Sequence, residues 1–162
     1  MLSYLDFSKR FGAYLSDPEF QSFLESTFTD LTTYNVSQSE YMISESTEIE
    51  LGYTNEDAIF DEDDEIVFKE GNPRFSHFNI YPKSVIIINE LPFRLKFTDD
   101  RNDILKKIGQ PTKTNRGDFL GTPFLTDHYK VDKTVISIDY FLNYSIKHFQ
   151  IRDNDLLLHL KL

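Results

Sequence analysis

Between Leu91 and Pro111 the chain reads LPFRLKFTDDRNDILKKIGQP, and its apolar positions change period in the middle. Leu91, Phe93, Leu95 and Phe97 alternate with Pro92, Arg94 and Lys96, the period of two that marks a half-buried extended segment. Thr98 breaks the alternation and offers a capping hydroxyl, and Asp99, Asp100 and Asp103 place negative charge at the positive end of a helix. Ile104, Leu105 and Ile108 then form one apolar stripe. Lys106 and Lys107 lie near the negative end, Gly109 suits the left-handed position after the last turn, and Pro111 forbids continuation. The pattern predicts a short helix over about 99–108.

Upstream, Tyr4, Leu5, Phe7, Phe11, Tyr14 and Leu15 recur at helical spacing and predict a first helix within 4–15. Ser16 with Glu19 has capping-box spacing and Pro18 suits a first turn, so Phe20, Phe23, Leu24, Phe28 and Leu31 predict a second helix to about Thr32, with its aromatic stripe in the core. From Tyr34 the period becomes two. Ile49, Leu51 and Tyr53 alternate with Glu48, Glu50 and Gly52, a strand with an outward row of carboxylates. Further strands are expected at Ile66–Phe68, Phe75–Tyr81 and Ser84–Ile88, with Val85–Ile88 buried on both faces.

After the short helix, Thr112–Pro123 reads as a polar loop and an antiparallel meander follows. A two-residue turn at Asp132-Lys133 sets Val131 opposite Thr134 and Tyr129 opposite Ile136. Tyr129, Val131, Ile136, Ile138 and Tyr140 then share a face, and His128, Lys130, Ser137 and Asp139 share the other. Ile146–Arg152 is the next strand, and Leu158, Leu160 and Leu162 alternate to the end. The fold class expected is α+β: two N-terminal helices, a mostly antiparallel sheet with the 99–108 helix packed on it, and a C-terminal β-meander. Residues 1–162 read as one domain, a helical segment 1–33 and an α+β body 34–162.

Charge sharpens this picture. Residues 1–70 hold 17 Asp and Glu against 3 Lys and Arg, and residues 71–162 hold 10 against 14, so −14 and +4 sum to −10. A strongly acidic first half argues against nucleic acid as a ligand and for a partner with a basic surface or cleft. The 162 residues contain no cysteine, which excludes disulfides and thiolate sites, and no stretch approaches the roughly 18 apolar residues of a membrane span. Met1–Leu15 lacks a continuous apolar core, so a cytoplasmic protein is expected, with no membrane partner.

The concentrated feature is Asn55–Glu65, NEDAIFDEDDE, with seven carboxylates in eleven residues. Glu56, Asp57, Asp61, Glu62, Asp63, Asp64 and Glu65, with Ile59 and Phe60 as an apolar anchor, are the candidate partner-binding residues. The exposed row Glu48, Glu50 is the next candidate. Asp61, Asp63 and Glu65 sit at the first, third and fifth positions of a possible calcium loop, but Ile66 stands where glycine is needed and Asn72 where a bidentate glutamate belongs. His77, His128, His148 and His159 show no close ligand spacing, and no nucleophile elbow, phosphate loop or dinucleotide fingerprint occurs. No cofactor, no metal and no enzyme are expected.

The stretch from Leu91-Pro92-Phe93 through Ile108-Gly109-x-Pro111 to DHYKVDKTVISIDY and KHFQIRD resembles small bacterial immunity proteins encoded beside polymorphic or contact-delivered toxins, over about residues 84–152. The helix, Gly-x-Pro and meander unit is also similar to the repeat of beta-lactamase inhibitor proteins and of some outer-membrane-assembly lipoproteins. Unlike the latter, this chain has no lipobox cysteine. Residues 16–81 could be a diverged first copy of the unit. The resemblance implies a protein that binds and neutralises a cognate toxin, such as a nuclease, by non-covalent occlusion. The alternative is a non-catalytic intracellular scaffold or regulatory module for another basic protein.

Overall fold

A computed structural model of the chain describes residues 1–34, 41–54, 59–60, 66–67, 72–157 and 160–162. Three helices appear in chain order: α1 (Tyr4–Ser8), α2 (Pro18–Thr27) and α3 (Arg101–Ile108). The strands are β1 (Leu2–Ser3), β2 (Tyr41–Ser44), β3 (Ile49–Thr54), β4 (Ile59–Phe60), β5 (Ile66–Val67), β6 (Arg74–Ile80), β7 (Ile88–Glu90), β8 (Lys113–Phe119), β9 (Thr122–Val131), β10 (Thr134–Tyr140) and β11 (Ile146–Asp153). Seven of them form an antiparallel sheet in the order β2-β3-β6-β11-β10-β9-β8, while β1 and β7 form a short parallel pair and β4 and β5 a short antiparallel one. The α+β class expected from the sequence is the class observed.

Cross-strand register organises the sheet into rows. Leu51, Phe78, Ile151, Ile136 and Tyr129 lie opposite one another across five strands, and Ile49, Ile80, Phe149, Ile138 and Asp127 form the neighbouring row on the same face. This face is the core. Helices α1 and α2 cover its β3–β6 side through aromatic contacts, Phe7 against Phe78 at 5.2 Å between ring centres and Phe20 against Phe75 at 5.3 Å. On the meander side, Ile104 of α3 is fully buried in the same cluster, and Phe97 meets Phe149 edge-on at 5.2 Å. The meander register matches the Asp132-Lys133 turn, with Val131 opposite Thr134 and Tyr129 opposite Ile136.

Several elements differ from the sequence pattern. The first helix stops at Ser8, because residues 12–15 bond alongside the β6 segment: Gly12 N donates to Phe75 O, Phe75 N to Ala13 O and Leu15 N to Pro73 O. The second helix is capped by Asp17, whose carboxylate accepts from Glu19 N and Phe20 N, and ends at Thr27 rather than about Thr32. Leu91, Phe93 and Leu95 are not a strand. Pro92 opens a 3-10 turn over Pro92–Arg94, and the left-handed Phe93 (φ 56°) and Arg94 (φ 57°) wind the chain so that Leu91 and Leu95 are buried without extended backbone. The following helix starts at Arg101 rather than Asp99. Asp100 caps it in a box with Asp103, and Asp99 instead binds Lys96 N and Lys107 Nζ. Ile104 faces the core while Leu105 and Ile108 are half-buried.

Ser84–Ile88 is likewise not a doubly buried strand. Pro82–Ile86 forms a 3-10 turn held by Tyr81 N to Ser84 Oγ and Ser84 Oγ to Glu48 O, which leaves Val85 and Ile86 exposed and only Ile88 in β7. The expected loop 112–123 contains β8, an edge strand wet on both faces and therefore without hydrophobic alternation. Val131, expected in the core row, is 42% exposed at the hairpin end. The last leucines form no strand among the described residues. Instead the tail folds back: Arg152 Nη2 donates to Leu160 O, Lys130 Nζ to Leu162 O, and Asn154 bonds both the N and the O of Leu162.

Candidate functional site

The sheet face away from the helices is polar. Its central row runs Glu50, Asn79, Gln150, Ser137, His128 and Lys113, residue opposite residue, from the β3 side to the β8 edge. The row is bonded internally. Asn79 Nδ2 donates to Glu50 Oε2 at 2.7 Å, Tyr81 OH donates to the same oxygen at 3.2 Å, and Arg152 Nη1 donates to Ser137 Oγ at 2.8 Å. His128 bonds Ser137 Oγ through Nδ1 at 2.8 Å and Asn115 through Nε2 at 3.0 Å. Beside the row, Tyr81 stacks on His148 at 5.0 Å, and His148 Nε2 lies 3.4 Å from Asp139 Oδ2.

This face carries the charge asymmetry of the sequence into space. At its β2–β3 end, Ile43, Ser44, Glu45, Glu48, Glu50 and Tyr81 line a hollow of about 450 Å³. Glu45 and Glu48 come from the turn between β2 and β3, which Asp30 clamps by accepting from Ser44 Oγ at 2.6 Å and Ser46 N at 2.7 Å. Those bonds, the Ser44 hydroxyl first, hold the Asp30 carboxyl below the usual carboxylate range. Glu48 sits at φ 53°, a left-handed position that brings it into the lining. Lys83, the cation at the rim, donates to the Glu45 carbonyl at 3.1 Å, and among the described residues none of the three glutamates has an ion-pair partner. Burial, then the Glu50 carboxylate, pushes the Tyr81 phenol up, so its hydroxyl remains a donor. Asn79 is 6% exposed, and among the described residues its buried Oδ1, beside the bonded Glu50, has no partner.

Of the residues expected to bind a partner, Glu56, Asp57, Asp61, Glu62, Asp63, Asp64 and Glu65 lie outside the described residues. Ile59 and Phe60 are described only as β4, paired with Ile66 and Val67. Glu48 and Glu50 do come together, joined by Glu45 and Tyr81, which the alternation alone did not single out. His77 bonds Tyr41 OH and Ser76 Oγ, and His159 lies outside the described residues. Among the described residues no three His, Asp or Glu side chains gather as a metal site, and no helix is long and apolar enough to cross a membrane.

Comparison with known proteins adds little. No family model matches the chain, and no curated protein matches it. Among solved structures, a DUF4309 family protein, YjgB, from Bacillus subtilis aligns over 82% of this chain and 77% of its own, at 6% identity and a TM-score of 0.47.

Proposed function

We propose that this chain is an immunity-type binding protein that neutralises a cognate toxin bearing a basic surface by non-covalent occlusion in the cytoplasm, without chemistry of its own. The observation that carries the reading is the hollow at the β2–β3 end, lined by Glu45, Glu48 and Glu50, none of which has an ion-pair partner among the described residues. Like charges held together by a clamped turn repel in the free protein, and a lysine or arginine of a partner relieves that repulsion. Tyr81 and Ile43 supply an amphipathic and an apolar wall for the stem of such a side chain. The sequence adds seven further carboxylates in Asn55–Glu65, directly after β3.

Co-expression with the product of a neighbouring toxin gene tests the reading. The native chain should protect cells, and the variant Glu45→Gln/Glu48→Gln/Glu50→Gln, folded by circular dichroism, should protect less. A native chain that neither binds nor protects would remove the immunity function.

A further inference from the structure

The opposite end of the sheet has a different character. Among the described residues strand β8 is an edge strand, bonded only to β9, and its seven residues pair without a bulge from Lys113 opposite His128 to Phe119 opposite Thr122. No proline interrupts it, and the devices that normally blunt an edge are reduced to its charges. The two-residue turn Leu120-Gly121 (φ 50° and 82°) makes Phe119 and Thr122 the bonded closing pair. Bonded pairs alternate in an antiparallel ladder, so Thr114, Arg116 and Asp118 turn their backbone N–H and C=O groups away from β9.

Next to this open edge lies the largest concentration of exposed apolar side chains among the described residues. Phe119 is 72% exposed, Leu120 91%, Phe141 52% and Leu142 75%, all at the end where the β8–β9 turn meets the β10–β11 loop. Beside Phe141 and Leu142 is a cleft of about 180 Å³, floored by the buried Leu125 and Tyr140 and walled by Phe141, Leu142 and Tyr144. Arg116 also lines this cleft. It is exposed, and among the described residues no hydrogen bond or ion pair engages its side chain. Gly117 keeps the edge flat here, since a Cβ at that position would stand 2.8 Å from the Phe124 ring lying across it.

We propose that β8 docks an extended segment of a partner polypeptide by strand addition, with a large apolar side chain in the cleft and an acidic residue against Arg116. The backbone groups of Thr114, Arg116 and Asp118 supply the ladder, and the cleft and guanidinium supply the choice of sequence. A second copy of the chain is the poorer occupant, because antiparallel pairing of two β8 strands about their centre sets Arg116 opposite Arg116. The surface is independent of the glutamate hollow, which lies at the far edge of the sheet.

The probe is an array of blocked octapeptides in which one phenylalanine and one glutamate are walked through a valine and threonine background, with a lysine-for-glutamate set beside it, each exposed to the intact chain. The glutamate set should bind at least about tenfold better than the lysine set in its best register. Arg116→Glu should reverse that preference, and Arg116→Pro, which removes an outward N–H without touching the β9 ladder, should abolish binding. Amide exchange at Thr114, Arg116 and Asp118 should slow on addition of the best peptide. Indifference to the glutamate-to-lysine exchange, binding unchanged in Arg116→Glu, or no binding at millimolar peptide would overturn the proposal. So would a concentration-dependent dimer lost in Arg116→Pro, which assigns the edge to a second copy, or anionic vesicle binding lost in Leu120→Ser, which assigns it to lipid.

Discussion

Asp127 is the one fully buried carboxylate among the described residues, and it ends an otherwise apolar row. Burial pushes its carboxyl up, but the Arg101 guanidinium, at 2.7 and 3.1 Å, and the Thr114 hydroxyl at 2.6 Å together hold it below the usual carboxylate range. The pair ties the first turn of α3 to the sheet. Asp127→Ala should therefore destabilise by about 3–5 kcal/mol, since it leaves Arg101 without its counter-charge, and a urea midpoint measures it. Because the folded carboxyl is lowered from 3.8, this contribution is present above that value and is lost as pH falls through the lowered one. Gly52 makes a second test. A Cβ there would sit 2.1 Å from Nε2 of His77, whose ring lies over it, so Gly52→Ala should cost about 1–3 kcal/mol by displacing an imidazole bonded to Tyr41. Neither role was legible in the sequence. Gly52 occupied an ordinary outward position of an alternating strand, and Asp127 looked like one more charge, because both depend on what lies opposite in the sheet.

Elements were legible where one local rule decided them. The second and third helices carry caps, apolar stripes and stops within a few residues of one another, and the structure moves their ends by only a few positions, except where α2 stops short at Thr27. The Asp132-Lys133 turn set the meander register for the same reason, with its side-chain faces alternating in step. Burial and backbone shape separated elsewhere. Leu91 and Leu95 are buried as their alternation implies, yet they reach the core through a 3-10 turn, and the β-branched run Val85–Ile88 is turned by Pro82 and captured by Ser84. Strand β8 was invisible because an edge wet on both faces has no apolar period to read. At this scale Ile104→Ala in α3 should cost about 2–5 kcal/mol, as Ile104 is fully buried, whereas Leu105→Ala, half-buried, should cost less. Equal denaturant midpoints for the two variants would place the wrong face of the helix on the sheet.

Across the whole molecule the sheet separates charge, with glutamates at the β2–β3 end and Lys113 and Arg116 on the β8 edge. Between them the imidazoles of His128 and His148 are half-buried in the polar face. Burial first, then Arg152 and Lys113, lowers the His128 pKa from 6.5, and burial lowers that of His148 against the opposing pull of Asp139. A lowered imidazole binds its proton more weakly folded than unfolded. Its contribution is complete above 6.5 and is lost as pH falls from there to the folded value, a loss that begins at higher pH than that of the carboxylates, which begins at 3.8. Stability followed by urea midpoint should therefore fall in two steps on acidification, and His128→Gln should shrink the upper one.

The central claim, that the chain binds a basic partner through its glutamate hollow, is tested most directly by the stopped-flow association rate with the product of a neighbouring toxin gene at low and physiological salt. Clustered charges act chiefly on that rate and are screened over about 8 Å at physiological ionic strength. The native chain should associate quickly at low salt and more slowly as salt rises, and Glu45→Gln/Glu48→Gln/Glu50→Gln should lose most of that dependence. Rates identical for the native chain and the triple variant, and insensitive to salt, would contradict the account.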